Sequence, residues 1–201
     1  AQSDAEIERL KNVGAALESR LNEQIAEMIA RGAGATVSAA GVELARALNL
    51  QSQVCSRLGD ARAAMMLADR ALALVDKLGD EGRRVRAECL KSLGMAYHML
   101  GQFEQAEEFK SLSLGLYREL GDRRYVGNLL NSLGETARLR GDYPTAQYNL
   151  GFALQLQGKT DDAINAYNEA IKTSGGKYPD AHYQIGSLLL GIPGRSGEAV
   201  E

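Results

Sequence analysis

The sequence predicts an all-α chain, an α-solenoid of antiparallel helix hairpins with an extra helix at its N-terminus. Three observations lead there. The 201 residues hold only 3 prolines and no Trp, and the 45% that are hydrophobic are rich in Ala and Leu, which leaves little material for strands. Apolar residues recur at helical spacing, as in Leu90, Leu93, Gly94 and Tyr97 at i, i+3, i+4 and i+7. The turn glycines Gly59, Gly101 and Gly141 follow one another at nearly equal intervals, so the helical pattern is a repeated one.

Ser3, with Glu6 one turn on, has capping-box spacing and opens a helix carrying Ile7, Leu10, Leu17, Leu21, Ile25 and Met28, expected to run to about Arg31. Gly14 and Gln24 interrupt its heptad spacing, so it reads as a cap on the first repeat rather than an oligomerisation helix. Residues 32 to 37, Gly-Ala-Gly-Ala-Thr-Val, read as a flexible joint. The first hairpin is then expected over 38–58 and 61–78, with Ala64, Ala68, Ala71 and Leu72 on its packing side. The second occupies Arg83 to Asp122: Leu90, Leu93, Gly94 and Tyr97 stripe its first helix, and Phe103, Ala106, Phe109 and Leu116 its second. Leu78-Gly79-Asp80 and Leu120-Gly121-Asp122 end these units alike, Gly stopping one helix and Asp placed to cap the next. The third unit starts near Arg123 and repeats the packing positions as Leu130, Leu133, Gly134 and Ala137.

The register then slips. Gly158 follows Gly141 at only half the earlier interval, so the expected continuous helix over 143–157 must serve two patterns. As a second helix it offers Ala146, Leu150, Ala153 and Leu154, and as a first helix Leu150, Gly151 and Leu154. The next helix, Asp161 to Thr173, again has second-helix spacing at Ala163, Tyr167, Ala170 and Ile171. The organisation read from this is a capping helix and joint over 1–37, long repeats over 38–147, and further repeats over 148–201; either the solenoid changes phase near Gln147 and Tyr148 or two segments are joined there, the join being preferred because the repeat length also shortens. The final hairpin starts at Tyr178-Pro179-Asp180, and Glu198-Ala199-Val200 opens its second helix. A solenoid needs a polar terminal cap and none follows, so the chain reads as a fragment with Ile185, Leu188 and Leu189 partly uncovered.

These units resemble tetratricopeptide repeats, whose signature runs from an aromatic or apolar residue through Leu-Gly, Tyr, Ala with an aromatic four on, and Ala. The best copies are Leu93-Gly94 with Tyr97, Leu133-Gly134, Leu150-Gly151, and Ala163, Tyr167 and Ala170, and the resemblance covers roughly 38–201. The long interval between the first turn glycines is similar to that of the long-repeat branch seen in bacterial signalling regulators and in spindle and motor adaptor proteins. Later units are closer to the ordinary repeat length of about 34 residues. The sequence departs from the signature at Lys110 and Ser113, where an aromatic and Ala are expected, and at Gln51-Ser52, which replaces Leu-Gly. The resemblance implies a right-handed superhelix that presents the first helix of each hairpin to a concave surface, where partner peptides or helices bind.

In that frame the inward positions are Arg46, Asn49, Gln53 and Ser56, then Glu88, Lys91, Met95 and His98, then Asn128, Asn131, Glu135 and Arg138. Asn side chains can hold an extended peptide backbone through donor and acceptor together, and Arg can grip a carboxylate bidentately. Arg83-Arg84 and Arg123-Arg124 precede the Leu-Gly glycines of their units by nearly the same distance. They form an alternative edge patch for an acidic partner, or are balanced locally by Asp80, Glu81 and Asp122.

Other function classes find little support. A net charge of −3 and a pI near 5.6 give no field that would gather nucleic acid or an anionic membrane. No run of about 18 apolar residues suits membrane insertion. His98 and His182 stand far apart, with no Cys-x-x-Cys and no acidic metal-binding loop, so no metal or cofactor is expected. The Gly191 to Gly197 loop lacks the Gly-Lys-Ser/Thr ending of a phosphate cradle, and the carboxylates fall on solvated faces, so no enzyme is expected. Cys55 and Cys89 read as buried free thiols and suit a reducing compartment; the localisation expected is cytoplasmic, of a bacterial-like protein given the resemblance, although a leader removed before Ala1 stays open. The function read from the sequence is a non-catalytic adaptor that binds a peptide or helix of a partner protein. The alternative is a structural subunit of a homo-oligomer, filament or larger complex held by stacked repeat ends.

Overall fold

The computed structural model describes residues 34–76 and 78–191, together with seven positions between 9 and 23 that are helical and exposed. The apolar stripe expected from Ile7 to Met28 lies outside the described residues. Eight α-helices follow: α1 Gly34–Arg57, α2 Ala61–Val75, α3 Arg83–Met99, α4 Phe103–Glu119, α5 Arg123–Arg140, α6 Tyr143–Leu156, α7 Thr160–Thr173 and α8 Pro179–Leu190, with a 3-10 turn at Gly79–Gly82. No strand occurs among the described residues. The chain divides into two compact units, Ala1–Leu116 and Tyr117–Glu201.

The sequence places the punctuation by ordinary capping chemistry. Gly59, Gly101, Gly121, Gly141 and Gly158 all take positive φ, from 68° to 85°, where a Cβ would be strained. Asp60, Asp122 and Asp142 follow three of these turns and accept from the amides of Ala63, Tyr125 and Thr145 at 3.0, 3.4 and 3.2 Å, covering donors the helix start leaves open. Two expectations fail. Gly34 to Val37 lie in α1 rather than in a joint, because a single glycine at a helix start costs only about 1 kcal/mol and nothing after it breaks the turn. Asp80 does not cap α3: the 3-10 turn carries the chain on to Gly82, which packs against Val75 where no side chain fits, and Asp80 pairs with Arg83 at 3.0 Å instead.

In the first unit α1 packs on α2 and α3, and α2 on α3, around Leu44, Leu48, Ala71, Val75, Val85 and Cys89. Helix α4 meets α3 through stacked Tyr97 and Phe109 rings 5.2 Å apart. Its buried stripe in this unit runs through Ala106, Lys110, Ser113 and Leu114, so the two polar residues that break the repeat signature are core positions. Ser113 Oγ donates to the Ala87 carbonyl at 2.7 Å, and Lys110, 1% exposed, brings Nζ within 3.4 Å of His98 Nδ1. A buried hydroxyl or ammonium is tolerated only when it finds such partners.

The second unit resolves the register slip. Helix α6 runs unbroken through Gln147 and Tyr148 and packs on α5 and on α7. Toward α5 it offers the Ala146 carbonyl, which would stand 3.2 Å from a Cβ on Gly134. Toward α7 it offers Gly151, where a Cβ would stand 2.7 Å from the Tyr167 ring and 3.1 Å from the Ala163 carbonyl. One helix is therefore second partner to α5 and first partner to α7 at once. Tyr167, Ala163, Ala170 and Ala181 form the core beyond it, covered by Tyr148 and Tyr178, whose rings lie 5.3 Å apart. Arg118 lies over the Phe152 ring at 5.2 Å. On α8, Leu189 is buried while Ile185 and Leu188 remain partly uncovered.

These close approaches separate two kinds of glycine. Gly127→Ala, mid-helix with nothing within 4 Å of the added Cβ, should stabilise the chain by about 0.5–1 kcal/mol, whereas Gly151→Ala should destabilise it by about 1–3 kcal/mol through overpacking on Tyr167. Urea titration checks both, and equal effects at the two positions would contradict the packing described.

Candidate functional site

The inward row predicted from the sequence divides in two. On α5, Asn128, Asn131, Glu135 and Arg138 succeed one another along one face and all four are exposed. Three of them line a shallow cavity of about 230 Å³ in the second unit: Asn131, Gly134, Glu135 and Arg138 come from α5, and Tyr143, Ala146, Gln147 and Leu150 from α6. Helix α5 supplies this face because Leu130, Leu133 and Ala137 are buried away from it, while Gly134, which also lines the cavity, lets the α6 backbone approach closely at Ala146. Tyr143 and Leu150, 57% and 42% exposed, are large apolar groups held against water at the rim.

Sequence reading misses Tyr143, Gln147 and Leu150. The repeat frame assigns the inward surface to first helices, and in it Leu150 is a packing residue. Only its exposure distinguishes it from Gly151 beside it. The signal available is the double pattern of α6: a helix packed on both sides leaves a third face to solvent.

The charges at this rim are already committed. Arg138 Nε and Nη2 donate to the two carboxylate oxygens of Glu135 at 2.8 and 2.7 Å, a bidentate pair that holds the guanidinium more firmly protonated than usual. Bidentate capture of a partner carboxylate by Arg138, as expected from the sequence, would require breaking that pair. Outside the cavity lining, Arg140 stands 3.6 Å from Asp142.

In the first unit the row is less open. Asn49 does not present its amide to solvent as predicted: it is fully buried, and neither its oxygen nor its nitrogen has a hydrogen-bond partner among the described residues. The helical period alone could not foresee this, since it fixes a face and not what covers it. Gln53 and Ser56 are half-buried, and Arg46 is exposed but paired with Glu43 at 2.6 Å. On α3, Glu88 and Lys91 are half-buried, and burial pushes the Lys91 ammonium below its ordinary pKa while Glu88 one turn away opposes that shift. Met95 is exposed, whereas His98 is half-buried beside Lys110 and meets the Phe103 ring edge-on at 5.6 Å. The alternative edge is locally balanced in part: Arg83 pairs with Asp80, Arg84 is exposed, and Arg123 and Arg124 are exposed beside the capping Asp122. Among the described residues no group of three or more His, Cys, Asp or Glu could hold a metal, and no helix is long and apolar enough to cross a membrane.

Comparison with known families agrees with this architecture. A family model described as Tetratricopeptide repeat matches residues 43–119, spanning α1 to α4, and a second of the same description matches 144–175, the α6–α7 pair. Together they span more than half of the chain, which belongs to the tetratricopeptide repeat family. Repeats of this family generally mediate protein–protein interactions and are typically non-catalytic. Among solved structures the chain is similar to one titled "Crystal structure of BtubC (BKLC) from P. vanneervenii", at 16% identity over 95% of this chain and 87% of that one, with a TM-score of 0.49. No curated protein matches the sequence.

The cysteines stay out of any such site. Cys55 and Cys89 are buried and form no disulfide, and burial, with Glu88 and Asp76 nearby, pushes the Cys89 thiol up to about 12. A thiol raised so far carries almost no thiolate in neutral buffer, so Cys89 should resist a disulfide reagent in the native chain and react fully in denaturant, and Cys55, 5% exposed, should be shielded by its burial. Rapid native labelling of Cys89 would show that α3 is not packed as described.

Proposed function

We propose that the chain is a non-catalytic adaptor that binds a peptide segment or helix of a partner protein in the groove between α5 and α6. The observation that carries this reading is the convergence of Asn131, Glu135 and Arg138 with exposed Tyr143 and Leu150 around one cavity of about 230 Å³. A large apolar group costs free energy in water unless something covers it, at roughly 25 cal/mol per Å². Apolar and polar groups meeting on one surface in this way suit a protein interface. Asn128 extends the same face by one turn. Within the first unit, exposed Arg46 and Met95 and half-buried Gln53, Glu88, Lys91 and His98 form a second, less open row for contacts of the same kind.

A second reading, self-assembly through repeat ends, is motivated by α8, where Tyr183 and Leu190 are 74% and 68% exposed. Nucleic acid and membrane are not the partners proposed.

The test begins with a partner recovered by crosslinking in native extract and identified by mass spectrometry. Binding of that partner by the Asn131→Ala, Leu150→Ser double variant should weaken about tenfold or more, about 1.4 kcal/mol, with helicity and melting temperature nearly unchanged. Undiminished binding would reject the α5–α6 groove and turn attention to Arg83, Arg84, Arg123 and Arg124. A molecular mass that rises with concentration would favour self-assembly.

A further inference from the structure

Resting on the reading above, we infer that the α5–α6 cavity is an anchor for a single large, uncharged apolar side chain of the bound segment, not for an acidic or basic one. Size is the first argument. Small-molecule sites run to about 300–1,000 Å³, and this cavity, at about 230 Å³, is smaller and suits one aromatic or long aliphatic side chain.

Charge is the second. Glu135 and Arg138 neutralise each other through two hydrogen bonds, and the cavity lining contains no other acidic or basic residue. That pair is about half-exposed, so a charged side chain would engage it only by competing with two hydrogen bonds already made and with water, whereas an apolar side chain leaves the pair intact. The electrostatic match is therefore to a neutral occupant.

The third argument is placement. Asn131 on α5 and Gln147 on α6 both border the cavity, and each amide carries donor and acceptor together, suited to the backbone on either side of the anchored residue. Tyr143 and Leu150 border the same cavity with much of their surface exposed, so an apolar anchor would cover surface that now meets water.

The experiment uses the full chain, isotope-labelled for NMR, and capped pentapeptides Gly-Ser-X-Ser-Gly in which X is Trp, Leu, Ala, Glu or Lys. Isolated anchors bind weakly, so shifts are followed to millimolar peptide. The inference expects saturable shifts at Leu150 and at the Asn131 and Gln147 amides with Trp and Leu, at least fivefold smaller shifts with Ala, Glu and Lys, and loss of the Trp response in Leu150→Ser with the spectrum otherwise retained. Stronger shifts with the Glu peptide, centred on Arg138, would overturn the inference while leaving a peptide groove in place. No localised shift with any of the five would overturn both the anchor and the groove.

Discussion

The structure depends on one close contact repeated along the chain: a helix lays its backbone against the carbonyl of an alanine in the first turn of the helix that follows it. The pairs are Gly94 with Ala106, Gly134 with Ala146, and Gly151 with Ala163, where an added Cβ would come within 3.1 to 3.2 Å of the carbonyl oxygen. At the first hairpin Ser52 takes the glycine's place and its hydroxyl donates to the Ala64 carbonyl at 2.7 Å. The departure from Leu-Gly at Gln51-Ser52 thus preserves the contact by changing its chemistry, from bare approach to a hydrogen bond. A buried serine left without an acceptor would cost roughly 1–3 kcal/mol, so the carbonyl is what makes serine acceptable there.

Because both halves of the contact are made of backbone and small side chains, a helix can supply the carbonyl on one face and the glycine on another. Helix α6 does so through Ala146 and Gly151. That arrangement exposes the face carrying Tyr143, Gln147 and Leu150, and the candidate groove follows from it. Dispersion and burial then fill in around the contact: the stacked pair Tyr97 and Phe109 in the first unit, and the cluster of Tyr148, Tyr167 and Tyr178 in the second, each close the layers of their own unit.

Much of the fold is legible in the sequence because it is written in residues whose conformations are restricted. Glycine is needed where φ is positive, so Gly59, Gly101 and Gly141 mark the turns, and Asp at a helix start marks three caps. What those rules do not encode is how two elements settle on each other, which is why Asp80 reads as a cap and Gly34 to Val37 as a joint when neither is. The site is legible by half. A 3, 4, 3 spacing places Asn128, Asn131, Glu135 and Arg138 together on an open face, but the same arithmetic puts Asn49 on a surface that is closed. Lys110 shows the converse, a residue whose type argues for solvent and whose register puts it in the core beside His98.

The central claim is that α6 belongs structurally to both its neighbours. Native-state hydrogen exchange resolved by residue tests it most directly, because elements that open together share one opening free energy. Amides of α5, α6 and α7 should show the same slowest-exchange free energy and the same dependence on denaturant. If instead α6 and α7 open together while α5 keeps its protection, or α5 and α6 open without α7, then α6 serves one neighbour only and the shared-helix account is wrong.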